Sequence, residues 1–285
     1  MLKEKYINPF TDFGFKKIFG EELNKDLLID FLNEILKDKE KIHDLTYKKS
    51  EKSGITLSDR GAVFDLYCEN EKGEKFIVEM QKVKQKFFKD RSVYYSTFPI
   101  QEQAIKNEWD FELKAIYTIG ILDFIFDENK ASKDYFHWEV KLMETTKKAV
   151  FFDKLTYIYL EMPKFTKKEN ELKTKFEKWL YVLRHLPNLQ SRPKALQERV
   201  FEKLFKAAEL AKFTPKQRQE YEDSLKSYRD LLNSMNNYKE EGIEIGEKQK
   251  AIKTAKLMLK NNEPVNKIIE YTGLSKKEIE NLKLQ

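Results

Sequence analysis

One cysteine, three histidines and no apolar run of eighteen residues set the first limits on this 285-residue chain. A lone thiol, Cys68, cannot build a disulfide framework; it suits a reducing compartment and a place in the core. His43, His137 and His185 lie far apart with no Cys or His neighbours, so zinc-type ligand spacing is absent. The most apolar stretch, Ile116 to Phe126, is interrupted by Asp123 and is of strand length. The opening Met-Leu-Lys-Glu-Lys has no signal core. These absences lead us to expect a soluble, cytoplasmic protein with no membrane partner. No G-x-S-x-G elbow, P-loop or dinucleotide fingerprint occurs either, which argues against a serine hydrolase, an NTPase or a dehydrogenase.

What is present is aromatic and charged. The 21 Phe and 14 Tyr supply enough burial to offset chain entropy, and the length admits one large domain or two modest ones. Charge is uneven along the chain: 27 Lys+Arg face 29 Asp+Glu up to Leu160, and 27 face 19 from Glu161 onward. A basic C-terminal half is compatible with a phosphate-backbone partner, and equally with a solvated, Lys-rich helical surface.

Hydrophobic period divides the chain. Phe15, Ile18 and Phe19, then Leu27, Leu28, Phe31, Leu32, Ile35 and Leu36, mark helical faces. Val63 to Cys68 and Phe76 to Gln81 read as two strands joined by a polar turn at Glu71-Lys72-Gly73-Glu74. A helix is predicted from Lys89 to Lys106 with Pro99 bending or shortening it, and strands at Leu113–Phe124, Trp138–Met143 and Leu155–Leu160. From Lys167 the pattern is helical. Thr214-Pro215 opens a helix carrying Tyr221, Leu225, Tyr228, Leu232 and Met235, a stripe that fits packing on its own domain or a seam between copies. Gly242 and Gly246 are expected to loosen the next segment, and a last long helix is expected around Ala251 to Leu259. Pro264 to Leu284 reads as a two-helix unit turning at Thr272-Gly273, with Ser275 as a cap, in the manner of a helix-turn-helix.

The hairpin carries the chemistry. With its turn centred near Lys72, Asp65 falls opposite Glu79. Alternation then puts Phe64, Leu66 and Cys68 on one apolar face with Phe76, Val78 and Met80, and places Asp65, Glu79 and Gln81 on the other. Like charges so placed repel unless a cation or a proton offsets them. A hard divalent ion suits such a pair, with water and phosphate oxygen as its remaining ligands. The alternative is a solvated sheet face with the carboxylates paired to Lys75 or Lys82.

Three blocks together resemble one family. Asp65, followed fourteen positions later by Glu79-Met80-Gln81, is similar to the Asp…Glu-x-Lys motif of the PD-(D/E)xK nuclease superfamily. The opening Asn8-Pro-Phe-Thr-Asp12-Phe-Gly-Phe-Lys16-Lys-Ile-Phe19-Gly20 resembles the start of its transposase-associated, recombination-promoting branch. Arg91-Ser-Val-Tyr94-Tyr95 and the tail glycines, followed by Thr272-Gly273-Leu274-Ser275, resemble that branch too.

The resemblance implies an α/β fold: a restriction-endonuclease-like mixed sheet flanked by helices, then a mostly helical C-terminal region. It implies residues 1–165 as the nuclease-like core, 166–240 as a helical region and 241–285 as a helical tail. By position, Asp65 and Glu79 would ligate a divalent metal, Mg²⁺ first and Mn²⁺ or Ca²⁺ as alternatives. Gln81 would occupy the usual lysine slot, offering hydrogen bonds in place of a charge. Asp12 would be a further acidic contributor, unless it only caps its helix. Lys82, Lys84 and Arg91 come soon enough after the strand to meet DNA phosphates. The implied activity is metal-dependent hydrolysis of DNA phosphodiesters in recombination or mobile-element events. Two alternatives stay open: a nuclease-like protein that binds nucleic acid without cutting, and a helical protein that self-associates through its C-terminal helices.

Overall fold

The computed structural model describes residues 4–37, 39, 41–52, 61–104, 110–132 and 134–283. The chain divides into two compact units, Met1–Tyr228 and Arg229–Gln285. In the first, helices α1 (Asp12–Phe19) and α2 (Lys25–Ile35) precede strands β1 (Leu45–Tyr47), β2 (Glu51–Lys52), β3 (Ala62–Val63), β4 (Leu66–Asn70) and β5 (Lys75–Gln81). Next come helix α3 (Phe88–Gln101), strands β6 (Ile116–Leu122), β7 (His137–Glu144) and β8 (Ala149–Glu161), and helices α4 (Lys175–His185) and α5 (Arg199–Ala208). Helix α6 (Pro215–Lys260) gives its first turns to this unit and the rest to the second, which also holds α7 (Val265–Thr272) and α8 (Lys276–Lys283).

The fold is α/β with a mixed sheet of order β1-β4-β5-β6-β8-β7, as the resemblance implied. β1, β4 and β5 run antiparallel; β5, β6 and β8 are parallel; β7 returns antiparallel at the edge. The central β6, Ile-Tyr-Thr-Ile-Gly-Ile-Leu, is buried at every position, as a parallel strand covered on both faces must be. On one face Leu66, Cys68, Phe76, Val78, Met80 and Ile119 meet the apolar stripes of α1, α2, α4 and α5 in the main core. On the other, α3 lies across β5, β6 and β8. Its Ser92 and Ser96 hydroxyls pair with those of Tyr159 and Tyr157, each at 2.8 Å.

Three local expectations change. Val63 and Cys68 do not share a strand: β3 ends at Val63 and pairs with β2, and the chain kinks at Phe64-Asp65 before β4 begins. Strict alternation fails across that break, so Phe64 packs with Tyr67, Ile77 and Phe98 on the α3 side of the sheet. The helix expected to reach Lys106 ends at Gln101, shortly after Pro99 withholds its N–H; Lys106 lies outside the described residues. Gly242 and Gly246 do not break α6, because the Glu and Lys residues around them favour a helix enough to absorb a glycine cost of about 1 kcal/mol each.

The second unit has its own small core of Ala255, Ile268, Leu274 and Ile279. Gly273 takes the left-handed conformation at φ 68° that ends α7. Ser275 and Glu278 cap α8 reciprocally: the Ser275 N–H donates to Glu278 Oε2 at 2.9 Å, and the Glu278 N–H to Ser275 Oγ at 3.3 Å. Leu284, the expected end of this hairpin, lies outside the described residues. Among the described residues no helix is long and apolar enough to cross a membrane.

Candidate active site

The ladder between β4 and β5 stops at Leu66↔Val78, and the next pair outward is Asp65 and Glu79. There the side chains take over from the backbone. Asp65 Oδ2 accepts the Met80 N–H at 2.7 Å, and Glu79 Oε1 accepts the Asp65 N–H at 3.2 Å. Each carboxylate thus caps the other's strand, which locks both onto one small area at the end of the β4–β5 ladder. Glu79 is only 8% exposed. It points toward α3, where its neighbour across the ladder on β6 is Gly120. A Cβ at Gly120 would stand 3.2 Å from Tyr159 and 3.4 Å from Phe88, so the missing side chain is what lets α3 settle against the sheet here.

Neither carboxyl is comfortable ionised. Burial pushes Glu79 well above the usual carboxylate range and the charge of Asp65 adds to this, opposed by the Asp65 N–H and by Arg91. Burial also raises Asp65; the Met80 N–H opposes it, the Asp12 charge reinforces it, and Lys16 and Lys82 relieve it. The Arg91 guanidinium stands 3.9 Å from Glu79 Oε2, beyond hydrogen-bond distance. Behind Glu79, a cavity of about 10 Å³ is lined by Glu79, Arg91, Tyr95 and Thr118, whose buried Oγ1 has no hydrogen-bond partner.

The other expected residues separate into near and far. Asp12 opens α1 but does not cap it: Thr11 does, accepting the Gly14 N–H at 3.0 Å. Asp12 pairs with Lys16 at 3.0 Å, and its charge acts on Asp65 and Lys82. Lys82 belongs to the same electrostatic group; burial lowers its ammonium pKa, and Asp12 and Asp65 pull it back up. Lys84 is directed elsewhere, onto Asp127. Lys75 pairs with Glu69 and leaves the two site carboxylates alone. Gln81 is committed at both ends: Nε2 donates to the Val83 carbonyl at 2.8 Å, and Oε1 accepts from Arg91. It is therefore anchored in the protein, and less free to orient a water or a phosphate than its position in the sequence suggests.

On Asp65's other flank a cleft of about 310 Å³ is lined by Phe13, Lys16, Lys17, Tyr47 and Lys48 among others. Sequence reasoning missed Lys16, Thr118 and the two serines of α3 as parts of this region. Only Gly120 left a signal, as a glycine inside an apolar strand.

Two hard oxygen donors held side by side, each resisting ionisation, fit a divalent cation that takes one or two carboxylates and fills its shell with water and phosphate oxygen. Among the described residues no group of three or more His, Cys, Asp or Glu gathers for such an ion, so Asp65 and Glu79 would be the protein's share.

A family model described as PD-(D/E)XK nuclease family transposase matches residues 9–238. No curated protein and no solved structure matches the chain. The matched span takes in Pro9 to Gly20 of the opening block, the Asp65–Glu79 pair and all six strands of the sheet, well over half of the sequence. On that extent of agreement, this chain belongs to the PD-(D/E)XK nuclease family transposases.

Proposed function

We propose that the protein is a divalent-metal-dependent DNA endonuclease that hydrolyses phosphodiester bonds, acting in recombination or mobile-element events. One observation carries the reading: Asp65, half-buried, and Glu79, buried, stand together where the β4–β5 ladder ends, and both are pushed toward their neutral forms. Two such groups repel unless a cation or a proton offsets them, and a divalent cation is the occupant that their oxygen donors suit. Asp65 and Glu79 would hold a divalent cation, with Mg²⁺ the first choice. When bound, such an ion supplies Lewis acidity toward the phosphodiester and acidifies nearby water.

The chain's own residues do the rest. The reciprocal N–H bonds of Asp65 and Glu79 keep both carboxylates oriented without needing the ion. Asp12 adds negative charge, and Lys82 and Lys16 add positive charge that a phosphate backbone would meet on approach. No strand-transfer chemistry is invoked.

The test is plasmid nicking at low salt in Mg²⁺, Mn²⁺, Ca²⁺ or EDTA, wild type beside Glu79→Ala. Metal-dependent nicking that disappears in the variant is the expected result. Equal activity in the two proteins, or none in either under any ion, overturns the reading. The anchoring of Gln81 favours one second reading, a protein that binds DNA without cutting it. That reading requires a salt-sensitive gel shift that survives both Asp65→Ala and Glu79→Ala.

A further inference from the structure

Gln81 brings no charge to the carboxylate pair, yet it grips the one group beside Glu79 that does. Its Oε1 accepts from Arg91 Nη2, while Arg91 Nη1 donates to Gln85 Oε1. The guanidinium also lies over two rings, 5.1 Å from the Phe88 ring centre and 5.6 Å from that of Tyr95. We propose that Arg91, held in place by Gln81, is the cation that receives a DNA phosphate at the Asp65–Glu79 site, and that Gln81 is its positioning residue.

The chemistry of the partners supports this. Amide oxygens fix a guanidinium in space without neutralising it, whereas a carboxylate at the same distance would consume its charge. Neighbouring cations show the contrast: Lys84 is closed onto Asp127, and Lys89 of the same helix onto Glu128. The Arg91 side chain remains 27% exposed, and its 3.9 Å approach to Glu79 Oε2 is too long for a hydrogen bond. A planar fork with five donors, two of them engaged by glutamines, keeps others for the paired oxygens of a phosphate. The helix is not free to carry Arg91 away. Ser92 and Ser96 tie it to Tyr159 and Tyr157, and the bare backbone of Gly120 sets how closely it lies. A positive group is thus held in advance beside the carboxylates that need one.

This inference rests on the nuclease reading only in taking a DNA phosphate as the ligand. The geometry also says what would replace Arg91. A lysine at position 81 would start where Gln81 starts and carry its ammonium toward the place that Arg91 Nη2 now occupies. The experiment therefore uses Arg91→Ala, Gln81→Ala and the double variant Gln81→Lys/Arg91→Ala. Three readings are taken: thermal melting, anisotropy of a labelled short DNA duplex in EDTA across a salt series, and plasmid nicking in Mg²⁺.

Arg91→Ala is expected to melt within a few degrees of wild type. It should bind the duplex roughly tenfold more weakly, with a salt slope smaller by about one. Its nicking should fall by roughly a hundredfold. Gln81→Ala should show the same changes to a lesser degree, and the double variant should recover both binding and slope to within about threefold of wild type. A purely structural role for Arg91 would lower the melting temperature and would not be rescued by a lysine at position 81. Wild-type affinity and slope in Arg91→Ala, failure of the double variant to recover, or no duplex binding by wild type overturns the proposal. If wild type binds with an Arg91-dependent slope but never nicks, the nuclease reading fails and Arg91 stands. If wild type and Arg91→Ala nick equally, Arg91 fails and the nuclease stands.

Discussion

Two buried glutamates of the same sheet behave in opposite ways. Glu161, at the end of β8, is 0% exposed, yet its carboxyl stays below the usual range. Burial would raise it, but the acceptors are fully supplied. Oε1 takes the Phe126 N–H at 2.8 Å and Asn129 Nδ2 at 3.0 Å; Oε2 takes Trp138 Nε1 at 3.0 Å and pairs with Lys164 at 2.7 Å. Lys164 is closed in turn by the carbonyls of Asn129 and Tyr135. Glu79 is almost as buried, but it has one backbone N–H, the charge of Asp65 beside it, and a guanidinium beyond bonding distance. Burial alone therefore does not mark a functional carboxylate. What separates the two is whether the protein itself completes the shell: around Glu161 it does, whereas around Glu79 the one cation brought near, Arg91, stops short of a hydrogen bond.

The largest expected effect breaks the completed shell. Glu161→Ala strands the Lys164 ammonium and the Trp138 indole N–H in the interior, and should destabilise the protein by roughly 3–5 kcal/mol in urea or thermal unfolding. A loss below about 1 kcal/mol would mean that water can enter and take over.

The intermediate effect lies at the incomplete shell. Mg²⁺ at about a hundred times its dissociation constant should stabilise wild type by about 2.7 kcal/mol and leave Glu79→Ala unmoved. In EDTA the comparison also has a pH signature. Glu79 has a raised native pKa, so its contribution is full below the unfolded carboxyl range and is lost as pH rises through the native value. Glu79→Gln, whose amide oxygen can keep the Asp65 N–H bond, should therefore melt above wild type by a margin that grows as pH climbs past about 4.3. Glu161 has a lowered native pKa, so the advantage of wild type over Glu161→Gln is present above that range and shrinks as pH falls through the native value. Parallel pH profiles for the two variants would dissolve the comparison.

The smallest effect isolates burial with no charge partner. Burial alone pushes the Cys68 thiol up to about 12. A thiol reagent at pH 8 should label Cys68 only after unfolding, and the thiol's contribution to stability should be full below the unfolded pKa of about 8.5 and lost as pH rises above it. Labelling of the folded protein would show that the main core opens at β4.

The hairpin register was legible because both of its determinants are local. A polar turn and a period of two place Asp65 opposite Glu79, and the pairing Leu66↔Val78, Tyr67↔Ile77, Cys68↔Phe76 is that register. The position of Phe64 was not legible. Alternation assumes an unbroken strand, and the break at Asp65 is where the side chain replaces the ladder. The partner of Arg91 was not legible either: Gln81 lies ten residues away across a loop, and the rotation of α3 that joins them depends on Tyr157, Tyr159 and Gly120 from strands that come later in the chain.

By itself, then, the sequence determined the paired carboxylates and their register, the core stripes of the helices, and the capped hairpin of the tail, since propensity, period and capping act over a few residues. The tertiary structure alone decided that Glu161 is closed by Lys164 while Glu79 is left open, that Thr11 and not Asp12 caps α1, and that Gln81 holds an arginine. Hydrogen bonds and charges act over a few ångströms of space, and only the folded chain sets which groups come within that reach.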